Sequence, residues 1–169
     1  GYIMSHFFKR PIAGEELKKL EDEKESMFRE IYKDKVETIP HYLRFLEELK
    51  SYNFKTAVAT SAPRANLDLI IKTLKIEDKM DSMLASEDVK SHKPNPEVYL
   101  KSAERVGVDP SDCVVFEDSF SGVTAGLNAG MKVVGVLSSH TKEQLPPCDF
   151  YINDYSEISV STILDLLNS

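Results

Sequence analysis

The sequence has few cysteines and no long apolar run. Only Cys113 and Cys148 are present, and Cys113 falls in a predicted core strand. This favours free thiols in a reducing cytoplasm over a disulfide framework. No apolar segment approaches membrane-spanning length, and we find no signal-peptide pattern, internal repeat or low-complexity tract. We therefore expect a cytoplasmic globular protein with no membrane partner.

Basic residues are also outnumbered. The 169 residues include 21 Lys and Arg against 28 Asp and Glu, which gives a formal net charge of −7. Nucleic acids are bound through basic surfaces, so the charge disfavours a nucleic-acid partner. The length fits one domain with a small appendage, and we expect a monomer. An acidic protein can still bind a phosphorylated metabolite where a metal ion and one or two lysines concentrate positive charge.

From residue 39 onward, short apolar runs alternate with segments whose apolar residues recur at helical spacing. Short unbroken apolar runs are typical of strands buried on both faces. Five such runs are Thr56–Thr60, Ser82–Ala85, Cys113–Phe116, Lys132–Leu137 and Phe150–Ile152. Because helices separate the strands, the pattern predicts an α/β fold with a parallel sheet and helices on both faces. No Gly-x-Gly-x-x-Gly follows a strand and no Walker lysine loop occurs, which disfavours a receiver-like or nucleotide-binding domain.

Residues 1–38 have a different pattern from the rest. Apolar residues recur there at helical spacing, with Glu and Lys on the other face. Lys24 interrupts the apolar stripe, either because its stem lies on apolar surface while its ammonium reaches water, or because it points at an anion from a helix that covers a site. Ile39-Pro40 marks a boundary, because proline disfavours helix in the residue before it. We therefore predict a partial helical cap at 1–38 and an α/β core at 39–169.

Two adjacent carboxylates, Glu117 and Asp118, follow the strand that begins at Cys113. Ligand sites of open α/β sheets lie beyond the carboxyl ends of the strands, which is where both acids are expected. Neighbouring carboxylates repel each other, and a hard cation such as Mg²⁺ is the simplest compensation. The alternative is that both are solvated loop residues near a helix start, where negative charge is favoured.

Two further segments follow other strands of the predicted sheet. Thr60-Ser61-Ala62-Pro63 leads into a helix, and hydroxyl and backbone N–H groups there can bind an anion or simply cap the helix. Lys93 lies between residues that include two prolines, so it is either a positioned cation or an ordinary surface lysine. Together with the carboxylates, these groups match the needs of phosphoryl transfer: anion donors, a cation and metal ligands.

These segments resemble the sequence motifs of the haloacid dehalogenase superfamily, specifically its β-phosphoglucomutase-like and phosphatase branch. Ala57–Ser61 looks like the family's second motif, and Lys93–Glu97 looks like the third. Phe116–Gly122, continuing to Ala129-Gly130-Met131, looks like the fourth. Residues 1 to about 35 look like the later part of the helical cap of this branch. The resemblance implies a Rossmann-like core and covers almost the whole sequence.

The resemblance also implies roles for individual residues. The Thr60 hydroxyl and the backbone N–H groups of Ser61 and Ala62 would contact the phosphate, and Lys93 would contact both the phosphate and the nucleophile. Asp118, with Glu117 beside it, would ligate Mg²⁺. The implied activity is that of a phosphohydrolase or phosphomutase acting on a small phosphorylated metabolite, in particular a sugar phosphate.

The family's first motif, an apolar strand ending in Asp-x-Asp, does not occur in the sequence. In the family its first aspartate forms the aspartyl phosphate, and its strand lies between those that end at Thr60 and Glu117. We therefore expect the sequence to be a piece of a longer protein, with supply of the strand by a partner chain as a weaker alternative. The printed chain alone would be inactive. A different functional class, a truncated or non-catalytic phosphate-binding or interaction module, stays open.

Overall fold

The computed structural model describes residues 13–169, which contain six α-helices and five β-strands. The helices are α1 (Gly14–Tyr32), α2 (Tyr42–Ser51), α3 (Arg64–Leu74), α4 (Glu97–Val106), α5 (Phe120–Asn128) and α6 (Val160–Leu167). The strands are β1 (Ala57–Ala59), β2 (Ser82–Leu84), β3 (Val114–Glu117), β4 (Lys132–Val136) and β5 (Phe150–Ile152). Helices separate most successive strands, which confirms the predicted α/β class.

All strand pairs are parallel, but the strands form two separate sheets. β1 pairs with β2, while β4 lies between β3 and β5 in a three-stranded sheet. In the larger sheet Val114 is opposite Lys132, and Val134 is opposite Phe150. The strands that lead to Thr60 and Asp118, β1 and β3, are not paired with each other. The parallel pairing was predictable from the alternation of strands and helices, whereas the division into two sheets is an observation of the structure.

Helices cover both faces of the larger sheet. Val133 packs in a core cluster with Val98 of α4 and Val123 of α5. Its neighbour Val134 packs in a second cluster with Phe45 of α2 and Ile163 of α6. Successive side chains of a strand point to opposite faces, so these clusters lie on the two sides of β4. A third cluster lies between α3 and the smaller sheet and includes Leu67, Ile71 and Ala85.

The helix after β3 begins and ends through local signals in the sequence. The Ser119 hydroxyl accepts a hydrogen bond from the Gly122 N–H at 3.1 Å and so caps α5. Gly130 ends this segment with φ +74°, a left-handed conformation that suits glycine. Gly126 permits close packing on the sheet, because a Cβ at this position would lie 2.9 Å from Val133 Cγ2. The cap therefore fixes the start of α5 directly beside the two acids.

One detail differs from the sequence-based expectations. Cys113, predicted in a core strand, precedes β3 and is only partly buried. Both cysteines are free, as expected. The predicted cap corresponds to α1, but its first twelve residues lie outside the described part of the chain, so the division at residue 38 stays a prediction. No helix within residues 13–169 is long and apolar enough to cross a membrane.

Candidate active site

Lys93 connects the carboxyl ends of the two sheets. Its ammonium donates a hydrogen bond to the Ala59 carbonyl oxygen, at the end of β1, over 3.1 Å. The same ammonium forms an ion pair with the Glu117 carboxylate at the end of β3. The two side chains are only 9% and 11% exposed. The sequence allowed either a positioned cation or an ordinary surface lysine, and these contacts agree with a positioned cation.

The loop that carries Lys93 is held by the first residue of α4. The Glu97 carboxylate accepts hydrogen bonds from the backbone N–H groups of Lys90 (3.0 Å) and Ser91 (2.8 Å). An ion pair with Lys101, together with these two donors, lowers the pKa of Glu97 to about 2. The two prolines pointed to an ordered loop, but nothing in the local sequence identified Glu97 as its anchor.

The Glu117 carboxylate is surrounded by donors from three elements. Oε1 accepts from the Lys93 ammonium and from the Tyr99 hydroxyl (2.5 Å), while Oε2 accepts from the Ser119 hydroxyl (3.2 Å). Gly122 leaves room for it, because a Cβ there would lie 2.1 Å from the carboxylate carbon. Burial and the charge of Glu117 raise the pKa of Tyr99, so the phenol stays protonated and donates.

Asp118 contacts a different part of the molecule from Glu117. Its Oδ2 accepts hydrogen bonds from the hydroxyls of Ser139 (3.0 Å) and Ser138 (3.3 Å), which follow β4. His140 Nδ1 lies 2.8 Å from the Asp118 carbonyl oxygen. Sequence reasoning missed these three residues. The only signal for them was their position just after a strand of the parallel sheet.

The Asp118 carboxylate has the donor chemistry that one part of a magnesium ligand set needs. Mg²⁺ is typically held by one or two carboxylates together with water and substrate phosphate oxygens. Within residues 13–169, no group of three or more His, Cys, Asp or Glu side chains could hold a metal ion. Glu117 is already paired with Lys93, so Asp118 is the better placed of the two predicted ligands.

The Thr60–Pro63 segment forms a compact turn before α3. The Thr60 hydroxyl oxygen accepts from the Ala62 N–H at 3.0 Å, and the Ala62 carbonyl accepts from the Ser86 N–H. The first N–H of α3, from Arg64, is bound by the Glu87 carboxylate at 3.0 and 2.9 Å. Of the donors predicted for an anion, the Ala62 N–H therefore already has a partner within the protein, and so does the neighbouring Arg64 N–H. Ser61 is exposed and Thr60 is half-buried in this turn.

Lys24 lies on the exposed side of α1. Its side chain is 60% exposed and pairs with Glu25 at 2.5 Å. Glu25 in turn accepts from the amide of Asn66, a buried residue of α3, whose oxygen accepts from Arg29 at 2.9 Å. The contacts of Lys24 agree with a solvated lysine, and contact with substrate stays a prediction for this residue.

An apolar cavity of about 750 Å³ lies between β1 and β3. Residues of both strands line it, including Val58, Ala59, Val115 and Phe116. Ala57 of β1 is exposed although it belongs to a strand of the core. Because residues of β1 and of β3 line the cavity, it lies between the two sheets. Glu117, which pairs with Lys93, is also among its lining residues.

Comparison with known proteins gives a consistent family. The model of the haloacid dehalogenase-like hydrolases matches residues 4–136. A phosphorylated carbohydrates phosphatase from Thermotoga maritima is 39% identical over 123 residues, which cover 72% of this chain and 55% of that protein. Across three curated relatives, the chain spans between 41% and 72% of the relative's length.

Solved structures show the same fold. A haloacid dehalogenase hydrolase of family IA, variant 3, from Entamoeba histolytica aligns with a TM-score of 0.92 and 27% identity, covering 99% of this chain and 78% of that one. A β-phosphoglucomutase from Clostridium difficile aligns with a TM-score of 0.84 and 25% identity, covering 97% of this chain and 73% of that one.

Proposed function

The chain belongs to the haloacid dehalogenase-like hydrolase family, and from that premise we propose that the complete protein is a Mg²⁺-dependent phosphohydrolase or phosphomutase. Its substrate would be a small phosphorylated metabolite, in particular a sugar phosphate. The observation that carries the proposal is the buried Lys93 ammonium, held between the carboxyl ends of β1 and β3. A cation fixed at this edge can offset the charge of a phosphoryl group.

Each predicted site residue of the α/β core has a role in this proposal, whereas Lys24 is given none. The Thr60 hydroxyl and the Ser61 backbone N–H would donate to phosphoryl oxygens beside Lys93. The Ala62 N–H would do the same once it exchanged its hydrogen bond to Thr60 for one to the phosphate. Asp118 would hold the metal ion, with Glu117 beside it. When bound, Mg²⁺ supplies positive charge that stabilises the developing charge on the phosphoryl oxygens. The hydroxyls of Ser138 and Ser139 would keep the Asp118 carboxylate in place.

The nucleophile of the proposed reaction is an aspartate outside the printed chain. Its carboxylate would attack phosphorus and release the substrate hydroxyl, and the resulting aspartyl phosphate would pass the phosphoryl group to water or to a second hydroxyl. The cavity between β1 and β3 supports this part of the proposal. It adjoins strand edges of β1 and β3 that have no partner strand, and a further parallel strand could pair with them. Ala59 and Glu117, the two residues that bind the Lys93 ammonium, are among its lining residues.

The substrate class is supported by the relatives. The Thermotoga maritima protein is named as a phosphatase of phosphorylated carbohydrates, and an Escherichia coli relative with 35% identity is named as a fructose-1-phosphate phosphatase. Some relatives are named as phosphatases, and one structural neighbour is a β-phosphoglucomutase. The proposal therefore includes both reactions: transfer of the phosphoryl group from the aspartyl phosphate to water, or to a hydroxyl of a sugar phosphate.

The test is release of phosphate from a panel of sugar phosphates by the full-length gene product, with and without Mg²⁺. We expect Lys93→Met to lower turnover on the order of 10²–10³-fold, as for loss of a preorganised charge contact. Lys90→Met, an exposed lysine of the same loop, is the matched control and should retain turnover. Near-normal activity of Lys93→Met would refute the role assigned to Lys93.

A non-catalytic phosphate-binding or interaction module is the second candidate. The observation that favours it is that the carboxylate paired with Lys93 in the described part of the chain is Glu117, which is bound by three donors. A carboxylate held in this way is a poor nucleophile. Absence of an upstream Asp-x-Asp from the gene, together with binding of inorganic phosphate, would select this candidate over the enzyme.

A further inference from the structure

We infer that Tyr99 is a positioning residue for Lys93 and fixes the place of its ammonium through two different contacts. The inference rests on the proposed function insofar as Lys93 contacts phosphate, but the contacts themselves do not depend on it. Tyr99 belongs to α4 and is 7% exposed. It follows Lys93 by six positions, so the loop and its supporting helix are continuous in sequence.

The first contact is between the ammonium and the aromatic ring. Lys93 Nζ lies 4.7 Å from the centroid of the Tyr99 ring, within the range of a cation–π interaction. At a nearly buried site this attraction is weakly screened by water. The ring also occupies the space into which the flexible lysine side chain could otherwise move.

The second contact acts through Glu117. The Tyr99 hydroxyl donates to the same oxygen, Oε1, that pairs with the Lys93 ammonium. Ser119 donates to the other oxygen, so hydroxyls on two elements fix the orientation of the carboxylate. A fixed carboxylate holds the ammonium at one point. A carboxylate that rotates would hold it only part of the time.

Together the contacts place Lys93 between groups from three elements. The Ala59 carbonyl lies at the end of β1, Glu117 at the end of β3, and Tyr99 on α4. A flexible lysine loses side-chain entropy when it is fixed. In this arrangement the contacts with Ala59, Glu117 and Tyr99 offset that loss in the folded protein, so it does not have to be met again when a ligand binds. Tyr99 is therefore a determinant of the site without needing to touch the reacting atoms.

The decisive test measures how fast Lys93 reacts in the full-length gene product. Reductive methylation by formaldehyde would be followed at each lysine by peptide mass spectrometry. We expect Lys93 to react about fivefold faster in Tyr99→Phe, which keeps the ring but loses the hydrogen bond that orients Glu117. Tyr99→Leu, which also loses the ring, should react faster still. This order of rates shows partial rescue by the conservative variant.

The controls separate positioning from general loosening of the fold. Tyr155→Phe removes another buried phenol hydroxyl, from a ring that packs on Phe45 and Phe116, and should leave the Lys93 rate unchanged. Lys90, which is exposed, is the internal reference in every protein. A Lys93 rate in Tyr99→Phe equal to that of the unmodified chain would overturn the inference, whatever Tyr99→Leu does to folding.

A second measurement connects positioning to activity in the full-length gene product. We expect Tyr99→Phe to lower kcat on the order of tenfold with a smaller change in KM, because a misplaced cation loses more in the transition state than in the ground state. Faster labelling without phosphate release by any variant would uphold the inference and refute the proposed function. Unchanged labelling with normal turnover would do the reverse.

Discussion

Lys93 and Glu117 form an ion pair that is about nine-tenths buried, which makes stability and function depend on the same two side chains. Such pairs often add little net stability, but removal of one partner leaves the other charge uncompensated. Tyr99 and Ser119 would then face a carboxylate without its cation. The cost of each single substitution is therefore expected to exceed the worth of the pair.

A double-mutant cycle tests this expectation. Lys93→Met should lower the free energy of unfolding by about 3–5 kcal/mol and keep the fold, whereas addition of Glu117→Gln should recover about half of the loss. Urea unfolding of the four proteins gives the coupling energy. Lys79 and Glu47 are the matched control, because this pair is 24% and 63% exposed and should couple by a few tenths of a kcal/mol. Equal coupling in both pairs would contradict the account.

Gly122 provides a second prediction on individual residues. A Cβ at this position would overlap the Glu117 carboxylate, so Gly122→Ala should displace that side chain from Lys93. We expect a loss of about 1–3 kcal/mol in the free energy of unfolding, as for overpacking, despite the better helix propensity of alanine. Thr124→Ala, at a half-buried position of the same helix whose hydroxyl donates to the Phe120 carbonyl, is the comparison variant. A stabilised Gly122→Ala would show that the carboxylate has room to move.

At the scale of elements, the smaller sheet is joined at its amino end by a polar cluster. Asp81, just before β2, accepts from the Lys50 ammonium (2.7 Å) and from the Thr56 backbone N–H (2.9 Å). The ion pair with Lys50, followed by the Thr56 donor, lowers the pKa of Asp81 to about 2. This cluster lies at the opposite end of the strands from Lys93, so its role is structural.

The pH dependence of stability follows from this shift. Because the folded state lowers the pKa of Asp81 from 3.8, the stabilisation is present above about pH 4 and is lost as the pH falls toward about 2. Asp81→Asn should therefore cost on the order of 1 kcal/mol near neutral pH, and the difference should shrink toward pH 2. Denaturant unfolding at several pH values measures it, with Asp68→Asn on the surface of α3 as control. A pH-independent difference would contradict the assignment.

Much of this architecture could be predicted from the sequence, because strands and helix ends depend on neighbours in the chain. The apolar runs at β1, β3 and β4 were sufficient to predict the strands around the site. Lys93 and the two carboxylates could be placed at one sheet edge from strand order alone. The predicted metal and phosphate roles themselves stay predictions.

The remaining features depend on contacts between distant parts of the chain. Tyr99 looks like an ordinary core residue of α4, and only its distance from Glu117 shows a further role. The Ser139 hydroxyl donates to Asp118, which is 21 residues away in the sequence. The Arg64 N–H donates to Glu87, which is 23 residues away. Local patterns carry no information on such pairs. Residues of this kind were therefore missed. At the start of α3 the sequence suggested backbone N–H groups available to an anion, but the Arg64 N–H is bound by the Glu87 carboxylate.

At the scale of the whole molecule, the sheet is interrupted between β1 and β3. The structure keeps three core clusters around this gap, and an apolar cavity of about 750 Å³ lies inside it. Phe116, which belongs to the core strand β3, is only partly buried there. A strand in this position would bury apolar surface, pair both edges and deliver its carboxyl end to Lys93. The proposed function depends on that strand.

The most direct test is therefore a comparison of phosphate release by the full-length gene product and by the 169-residue chain. With Mg²⁺ and a panel of sugar phosphates, the account predicts turnover by the gene product, loss of turnover when the aspartate of the added strand is changed to asparagine, and none by the 169-residue chain. Turnover by the 169-residue chain at the rate of the gene product would contradict the account, because the site would then need no aspartate from outside it.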